Sequence, residues 1–110
     1  MTADPKPARG EAKAERRRKR RDAKDATYLA WLHTQPCLCC GASGVEVHHE
    51  RTLGKGDAYG VPLCTFHHRG HSGRHGLRSR MLFEERYKLN LRVEIARLKG
   101  AYETEHAVVL

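Results

Sequence analysis

Most residues of this 110-residue chain that can bind a metal or transfer a proton lie in one stretch. All four cysteines and six of the eight histidines fall within residues 37–75. Imidazole is a common metal ligand that titrates near neutral pH, and thiolates bind zinc. The adjacent pairs His48-His49 and His67-His68 favour one pair on a strand and the other on a helix that faces it. We therefore expect a catalytic metal between the two pairs.

Two pairs of ligand residues predict a structural zinc site. Cys37-x-x-Cys40 brings two thiols into one turn closed by a glycine, and Cys64-x-x-His67 supplies a second pair. Structural zinc takes four such ligands in a tetrahedron. CxxC alone is ambiguous, because redox motifs share it, but the second pair makes a Cys3His site the favoured interpretation.

Cys39 is the thiol that this assignment leaves over. It could replace Cys37 or Cys40 as a ligand, and a set of free thiols without metal is a further alternative. Disulfides are disfavoured because the chain opens MTADPKPARGEAKAERRRKRR, without an apolar signal segment. We therefore expect a reducing, cytoplasmic location.

The composition predicts one small domain with a thin core and a polyanionic partner. Only 39% of residues are hydrophobic and 6% aromatic, so the core is thin and a bound zinc ion would add to its stability. The net charge of +8 and the pI near 9.7 favour nucleic acid as that partner. No apolar run approaches the length of a membrane span, so no membrane association is expected.

The basic excess is concentrated in residues 1–25, which carry ten Lys or Arg against five Asp or Glu. This segment has no apolar residue larger than alanine after Met1, so we expect a disordered tail. Its densest run could neutralise several phosphates and consists of Arg16, Arg17, Arg18, Lys19, Arg20 and Arg21. The alternative is a solvated tail that only improves solubility.

The remaining sequence predicts short elements that would position the metal ligands within a domain of residues 26–104. Trp31, in a helix over residues 26–33, should anchor the core rather than stack on a base. Thr65 should cap a short helix that begins near Phe66 and carries the second histidine pair. The other expected elements are strands over residues 44–49 and 61–63, a glycine-rich loop over 51–60, and a helix over 79–87.

The last expected helix follows Asn90, which should cap it. Its core-facing stripe recurs at helical spacing and comprises Leu91, Ile95, Leu98 and Tyr102. Residues 105–110 should form a frayed C-terminus.

The combined pattern resembles the HNH endonucleases. A CxxC, a strand that ends in His-His, and Leu-Cys-x-x-His-His on a helix carry this resemblance. A more specific segment is similar to the phage recombination-enhancement, RecA-dependent nucleases: His67-His68-Arg69-Gly70-x-x-Gly73-x-His75-Gly76, then Phe83-Glu84-x-x-Tyr87. The resemblance covers residues 28–100. It implies an α+β fold, a small zinc-stabilised, treble-clef-like ββα-metal core with flanking helices.

The resemblance also implies an activity, namely metal-dependent hydrolysis of DNA phosphodiester bonds by a phage or prophage protein in a bacterial host cell. His49 matches the general base, and His48 and His68 match ligands of a catalytic Mg²⁺ or Mn²⁺. His75 matches a third ligand or a phosphate contact, and His71 is held in reserve. A RecA-like recombinase filament is the implied protein partner.

Two further expectations concern the surroundings of this site. Arg69, Arg74 and Arg78 are close enough in sequence to hold the flanking phosphates. Many HNH enzymes orient the base with an asparagine, which the loop before the helix lacks here. A backbone carbonyl is then the first expectation for orienting the base, with Asp57 and Tyr59 as alternatives.

Two other classes of function compete with a nuclease. A non-catalytic zinc module that binds nucleic acid would use the four zinc ligands and the basic tail, but it would leave five histidines without a role. A protein-interaction adaptor would use the C-terminal helices, which have no feature beyond amphipathicity to support it.

Overall fold

The computed structural model describes residues 26–106, which fold into a two-stranded antiparallel sheet and five α-helices. The elements are α1 (residues 26–32), β1 (Glu46–His49), the 3-10 turn η1 (Asp57–Tyr59), β2 (Gly60–Leu63), α2 (Thr65–Arg69), α3 (Arg74–Leu77), α4 (Arg80–Tyr87) and α5 (Leu91–Glu105). No helix among them is long and apolar enough to cross a membrane. The α+β prediction is confirmed.

Some predictions fall on residues beyond this range. The expected disordered tail, residues 1–25, and residues 107–110 of the expected frayed end lie outside the described residues. Glu105 differs from that expectation, because it is the last residue of α5 and accepts a hydrogen bond from the indole of Trp31 at 2.9 Å.

The hairpin of β1 and β2 places the histidine pair at the end of a strand. Glu46 lies opposite Leu63, and His49 lies opposite Gly60. Because side chains alternate along a strand, Glu46 and His48 share one face, which α2 covers. His49 points the other way, toward η1.

The core lies between the hairpin and the helices α1, α4 and α5. Its fully buried apolar side chains come from all four, and include Leu32, Val61, Leu63, Phe83, Leu91 and Leu98. Trp31 is buried beside Tyr28 and Tyr102, which confirms its expected place in the core. The predicted stripe of α5 is confirmed as well, because Leu91, Ile95 and Leu98 are buried.

Of the two predicted helix caps, one is confirmed and one is wrong. The side chain of Asn90 accepts a hydrogen bond from the Val93 N–H, as expected for a cap. The prediction for Thr65 is wrong: α2 begins at Thr65 itself, after Cys64 in extended conformation. The Thr65 hydroxyl instead donates to Glu46 at 3.3 Å. The helix therefore begins one residue earlier than predicted, directly after the zinc ligand Cys64.

Glycines end α2 and fold the chain back as α3, a helix that the sequence did not predict separately. A Cβ on Gly76 would lie 2.1 Å from the backbone oxygen of His71 and 2.3 Å from that of Gly70. A Cβ on Gly73 would lie 2.6 Å from the backbone oxygen of Phe66. These contacts require glycine, so the close approach of α3 to the end of α2 depends on residue size at these positions.

Candidate metal centres

The four side chains predicted as zinc ligands form one cluster. One ligand atom each from Cys37, Cys40, Cys64 and His67 lies within 4.8 Å of the others. The Sγ atoms of Cys40 and Cys64 are 3.8 Å apart, and Cys37 Sγ is 3.7 Å from His67 Nδ1. Zinc–sulfur bonds of about 2.3 Å in a tetrahedron give sulfur separations of about 3.8 Å. The group is therefore positioned to hold a metal ion and fits structural zinc.

The CxxC turn orients its thiols through backbone hydrogen bonds. Gly41 donates to the carbonyl of Cys37 at 2.8 Å and adopts a left-handed φ of 76°. Burial opposes ionisation of Cys37, but N–H groups that point at its sulfur, including that of Cys39 at 3.4 Å, outweigh it and lower the pKa of the thiol. A thiolate is the form that binds zinc.

Cys39 lies outside this group and is partly buried. Burial, and then the nearby sulfur of Cys37, raise the pKa of its thiol to about 12. The exchange of Cys39 with another cysteine ligand, which the sequence left open, is thus disfavoured by the geometry.

A second group consists of three histidines from three elements. His48 of β1, His68 of α2 and His75 of α3 each offer a ring nitrogen within 4.8 Å of the other two. The Nε2 atoms of His68 and His75 are 3.1 Å apart, close to the distance between neighbouring ligands on one small metal ion. His48 is buried and His75 exposed, so the group opens to solvent on one side.

Two carboxylates contact ring nitrogens of His68 and His48. Glu46 Oε1 lies 2.8 Å from His68 Nδ1, and Glu50 Oε1 lies 3.0 Å from His48 Nε2. Since an ionised carboxylate only accepts, each bonded nitrogen carries the hydrogen and the other keeps its lone pair. Metal-binding histidines commonly have this carboxylate partner.

Desolvation favours the neutral form of two of these rings. It lowers the pKa of His68, although the bond to Glu46 opposes the shift. Partial desolvation by its neighbours also lowers the pKa of the largely exposed His75, and the adjacent His68 adds to the effect. Neutral imidazole is the form that binds metals.

The donor set bears on which metal fits. Three imidazole nitrogens suit zinc and other transition ions, whereas Mg²⁺ prefers oxygen ligands. Of the two catalytic ions expected from the sequence, Mn²⁺ therefore fits these side chains better than Mg²⁺.

A cleft of about 380 Å³ lies over the three histidines. His49 also lines it without belonging to the three-histidine group. The Nε2 atom of His49 lies 2.6 Å from Asp57 Oδ1, and its side chain is 38% exposed. Asp57, rather than Tyr59, the other alternative to the expected backbone carbonyl, thus orients His49.

The three arginines expected at phosphates differ in their surroundings. Arg69 is 63% exposed in its side chain and forms an ion pair with Glu46 at 2.6 Å. Arg78 is exposed at the end of α3. Arg74 departs from the expectation, because its guanidinium is buried and donates to both carboxylate oxygens of Glu50, at 2.7 and 2.8 Å. The basic run over residues 16–21 lies outside the described residues.

Glu46 and Glu50 are not among the residues predicted from the sequence, and His71 is the histidine held in reserve there. His71 is exposed and belongs to neither group. A signal for the two glutamates was present, since Glu46-x-His48-x-Glu50 has the period of a strand and puts all three side chains on one face.

Comparison with known proteins assigns the chain to a family. The model of the family described as "Protein of unknown function (DUF968)" matches residues 4–104. The chain belongs to this family. It is also 35% identical over 75 residues to the uncharacterized protein YdfU of Escherichia coli (strain K12), over 62% of this chain and 21% of that protein. The chain therefore spans about a fifth of this relative's length. No solved structure gives a significant match.

Proposed function

We propose that this member of the DUF968 family is a metal-dependent endonuclease of the HNH type that hydrolyses DNA phosphodiester bonds. The order β1–β2–α2, with Cys64 and His67 of the zinc group at the start of α2 and with His48 on β1 and His68 on α2, supports a ββα-metal core. A phage or prophage origin, a role in recombination and a recombinase partner belong to the same proposal, and they rest on the resemblance alone.

The observation that carries the proposal is the convergence of His48, His68 and His75 in an open cleft beside His49. The zinc group already uses four ligands, so stability of the fold does not explain a second, solvent-open group. A bound divalent ion would supply charge stabilisation at the scissile phosphate and its leaving oxygen.

The proposed base follows from the contact between His49 and Asp57. A carboxylate bonded to Nε2 fixes the hydrogen on that nitrogen and leaves the lone pair on Nδ1. Nδ1 of His49 can then accept the proton of an attacking water, while Asp57 stabilises the imidazolium that forms. Asp57 therefore has the orienting role that an asparagine has in many HNH enzymes.

A polymeric substrate is favoured over a small molecule by a second groove. This groove, of about 450 Å³, shares His49 and His68 with the cleft and extends to His33 and Arg69. A strand that crosses the histidines would thus contact both grooves, and Arg69 would lie near a flanking phosphate. Arg74 is better assigned to the support of Glu50.

The second candidate is a zinc module that binds nucleic acid without cutting it. The zinc group and the net charge of +8 favour it as much as they favour a nuclease. It gives no role to the carboxylate-oriented histidines of the cleft.

A cleavage assay separates the two candidates. The full chain would be incubated with supercoiled, linear and single-stranded DNA and Mn²⁺ or Mg²⁺, with and without a recombinase filament. We expect nicking or cleavage that is stronger with Mn²⁺. His49→Ala should lower the rate by about 10²- to 10⁴-fold and leave zinc content and DNA binding unchanged.

The matched control is His71→Ala, since His71 is exposed and outside both metal groups. It should cleave at the wild-type rate. Binding of DNA without cleavage under all these conditions would favour the zinc module, and full activity of His49→Ala would remove His49 as the base.

A further inference from the structure

One buried carboxylate connects the three-histidine group to the rest of the fold. Glu50 follows β1 and is fully buried. Its oxygens accept four side-chain hydrogen bonds, from His48 at 3.0 Å, Arg74 at 2.7 and 2.8 Å, and Thr52 at 2.6 Å. A buried carboxylate is costly unless its oxygens are satisfied, and here they are.

The partners of Glu50 come from different parts of the structure. His48 lies on β1, and Arg74 is the first residue of α3, the helix that carries His75. Thr52 also accepts from Arg80 of α4 at 2.8 Å, and Arg80 pairs with Glu84 at 3.2 Å. The carboxylate thus joins two of the three metal-binding elements to α4.

We infer that Glu50 is a positioning residue for the metal centre. Its contact with His48 Nε2 fixes the hydrogen on that nitrogen and leaves the lone pair on Nδ1, the ring nitrogen that is then available to a metal ion. Its bidentate pair with Arg74 fixes the start of α3, and thereby the position of His75. This inference rests on the proposed metal site, but it concerns metal affinity rather than cleavage.

The test is Mn²⁺ binding to the full chain loaded with one zinc ion per chain, in which electron paramagnetic resonance measures the free Mn²⁺. Thiolate ligands favour zinc over Mn²⁺, so the added ion reports on the histidine group. Glu50→Gln keeps the size of the side chain and removes its charge. We expect its Kd for Mn²⁺ to be about 10- to 100-fold higher than that of the wild type, the range found when a metal ligand loses its hydrogen-bond partner.

The matched control is Glu94→Gln. Glu94 is another partly buried carboxylate paired with an arginine, but it lies on α5 and accepts from Arg97 at 2.9 Å, outside the contacts that connect Glu50 to the histidines. Its Kd for Mn²⁺ should stay within about twofold of wild type, on the physical ground that no ligand loses a partner. An equal loss in both variants would indicate general destabilisation and overturn the inference.

A second measurement needs no variant and applies even where Glu50→Gln does not fold. Long-range ¹H–¹⁵N spectra of the zinc-loaded wild type report which nitrogen of His48 carries hydrogen. We expect hydrogen on Nε2, and hydrogen on Nδ1 would overturn the inference. Unchanged Mn²⁺ affinity in folded Glu50→Gln would do the same. If Glu50→Gln binds Mn²⁺ more weakly and the wild type cuts no DNA, the positioning role of Glu50 would be supported. The proposed nuclease activity would then be rejected.

Discussion

Cys39 and Cys40 are neighbours in the chain, yet their thiols have different surroundings. Cys40 Sγ is 3.8 Å from Cys64 Sγ within the zinc group. The Cys39 side chain is outside that group and packs against the core. Only one of the two adjacent sulfurs can therefore contribute to the tetrahedron in this arrangement.

Replacement of each cysteine by alanine should thus have opposite outcomes. Cys40→Ala should lose bound zinc and cooperative unfolding, because structural zinc supplies folding free energy on the order of 10 kcal/mol in small domains. Cys39→Ala should keep one zinc per chain and lose about 1 kcal/mol or less of stability. Zinc released to a colorimetric chelator and thermal unfolding would measure both. A zinc-replete Cys40→Ala protein would contradict the assignment.

The residue scale is also where the sequence was most informative. Ligand spacing predicts the Cys3His group without knowledge of the fold, because CxxC and CxxH are each local turns. It does not predict which group orients His49, because Asp57 is eight residues away and meets it only when η1 packs beside β1. The sequence also places Arg74 at a phosphate on the basis of its charge alone. The burial of the Arg74 guanidinium depends instead on Glu50, which is 24 residues away.

At the scale of elements, the short helix α3 completes the histidine group. It is only four residues long, Arg74–Leu77, and it returns His75 to His68 across the end of α2. Periodicity on one continuous helix would also align His71, but the break at Gly70 sends His71 to solvent. The sequence predicts a short helix after Thr65, while the return of the chain depends on backbone contacts that no pattern encodes.

Gly76 should be the position at which this return is most sensitive. Gly76→Ala would force a Cβ against two backbone oxygens, at 2.1 and 2.3 Å, so α3 must shift. We expect a loss of about 1–3 kcal/mol in the free energy of unfolding, together with weaker Mn²⁺ binding as His75 moves. Urea denaturation and Mn²⁺ titration measure the two effects.

Gly100 offers a matched control on α5. A Cβ there would meet nothing within 4 Å. Gly100→Ala should therefore stabilise the protein by about 0.5–1 kcal/mol, the usual gain within a helix, and leave Mn²⁺ affinity unchanged. If Gly76→Ala matched Gly100→Ala in both respects, the packing argument for α3 would be wrong.

For the whole molecule, charge is distributed unevenly between the tail and the domain. Residues 1–25 hold ten basic and five acidic side chains, so they account for five of the eight net positive charges. Within the domain, several basic side chains are already paired, as Arg69 is with Glu46 and Arg74 with Glu50. Paired cations contribute less to a phosphate backbone than free ones. We therefore expect the tail to supply most of the non-specific affinity for the proposed DNA substrate.

Replacement of all six basic residues 16–21 by glutamine, in the full-length chain, tests this expectation. Each phosphate contact on duplex DNA contributes about 0.9 to the slope of log K against log salt concentration, so the slope should become shallower by up to about five. Affinity at low salt should fall correspondingly, as measured by fluorescence anisotropy on a labelled duplex. The cleavage rate at saturating protein should not change, because His49 and the three-histidine group are untouched. A wild-type slope in this variant would show that the domain surface, rather than the tail, binds the phosphates.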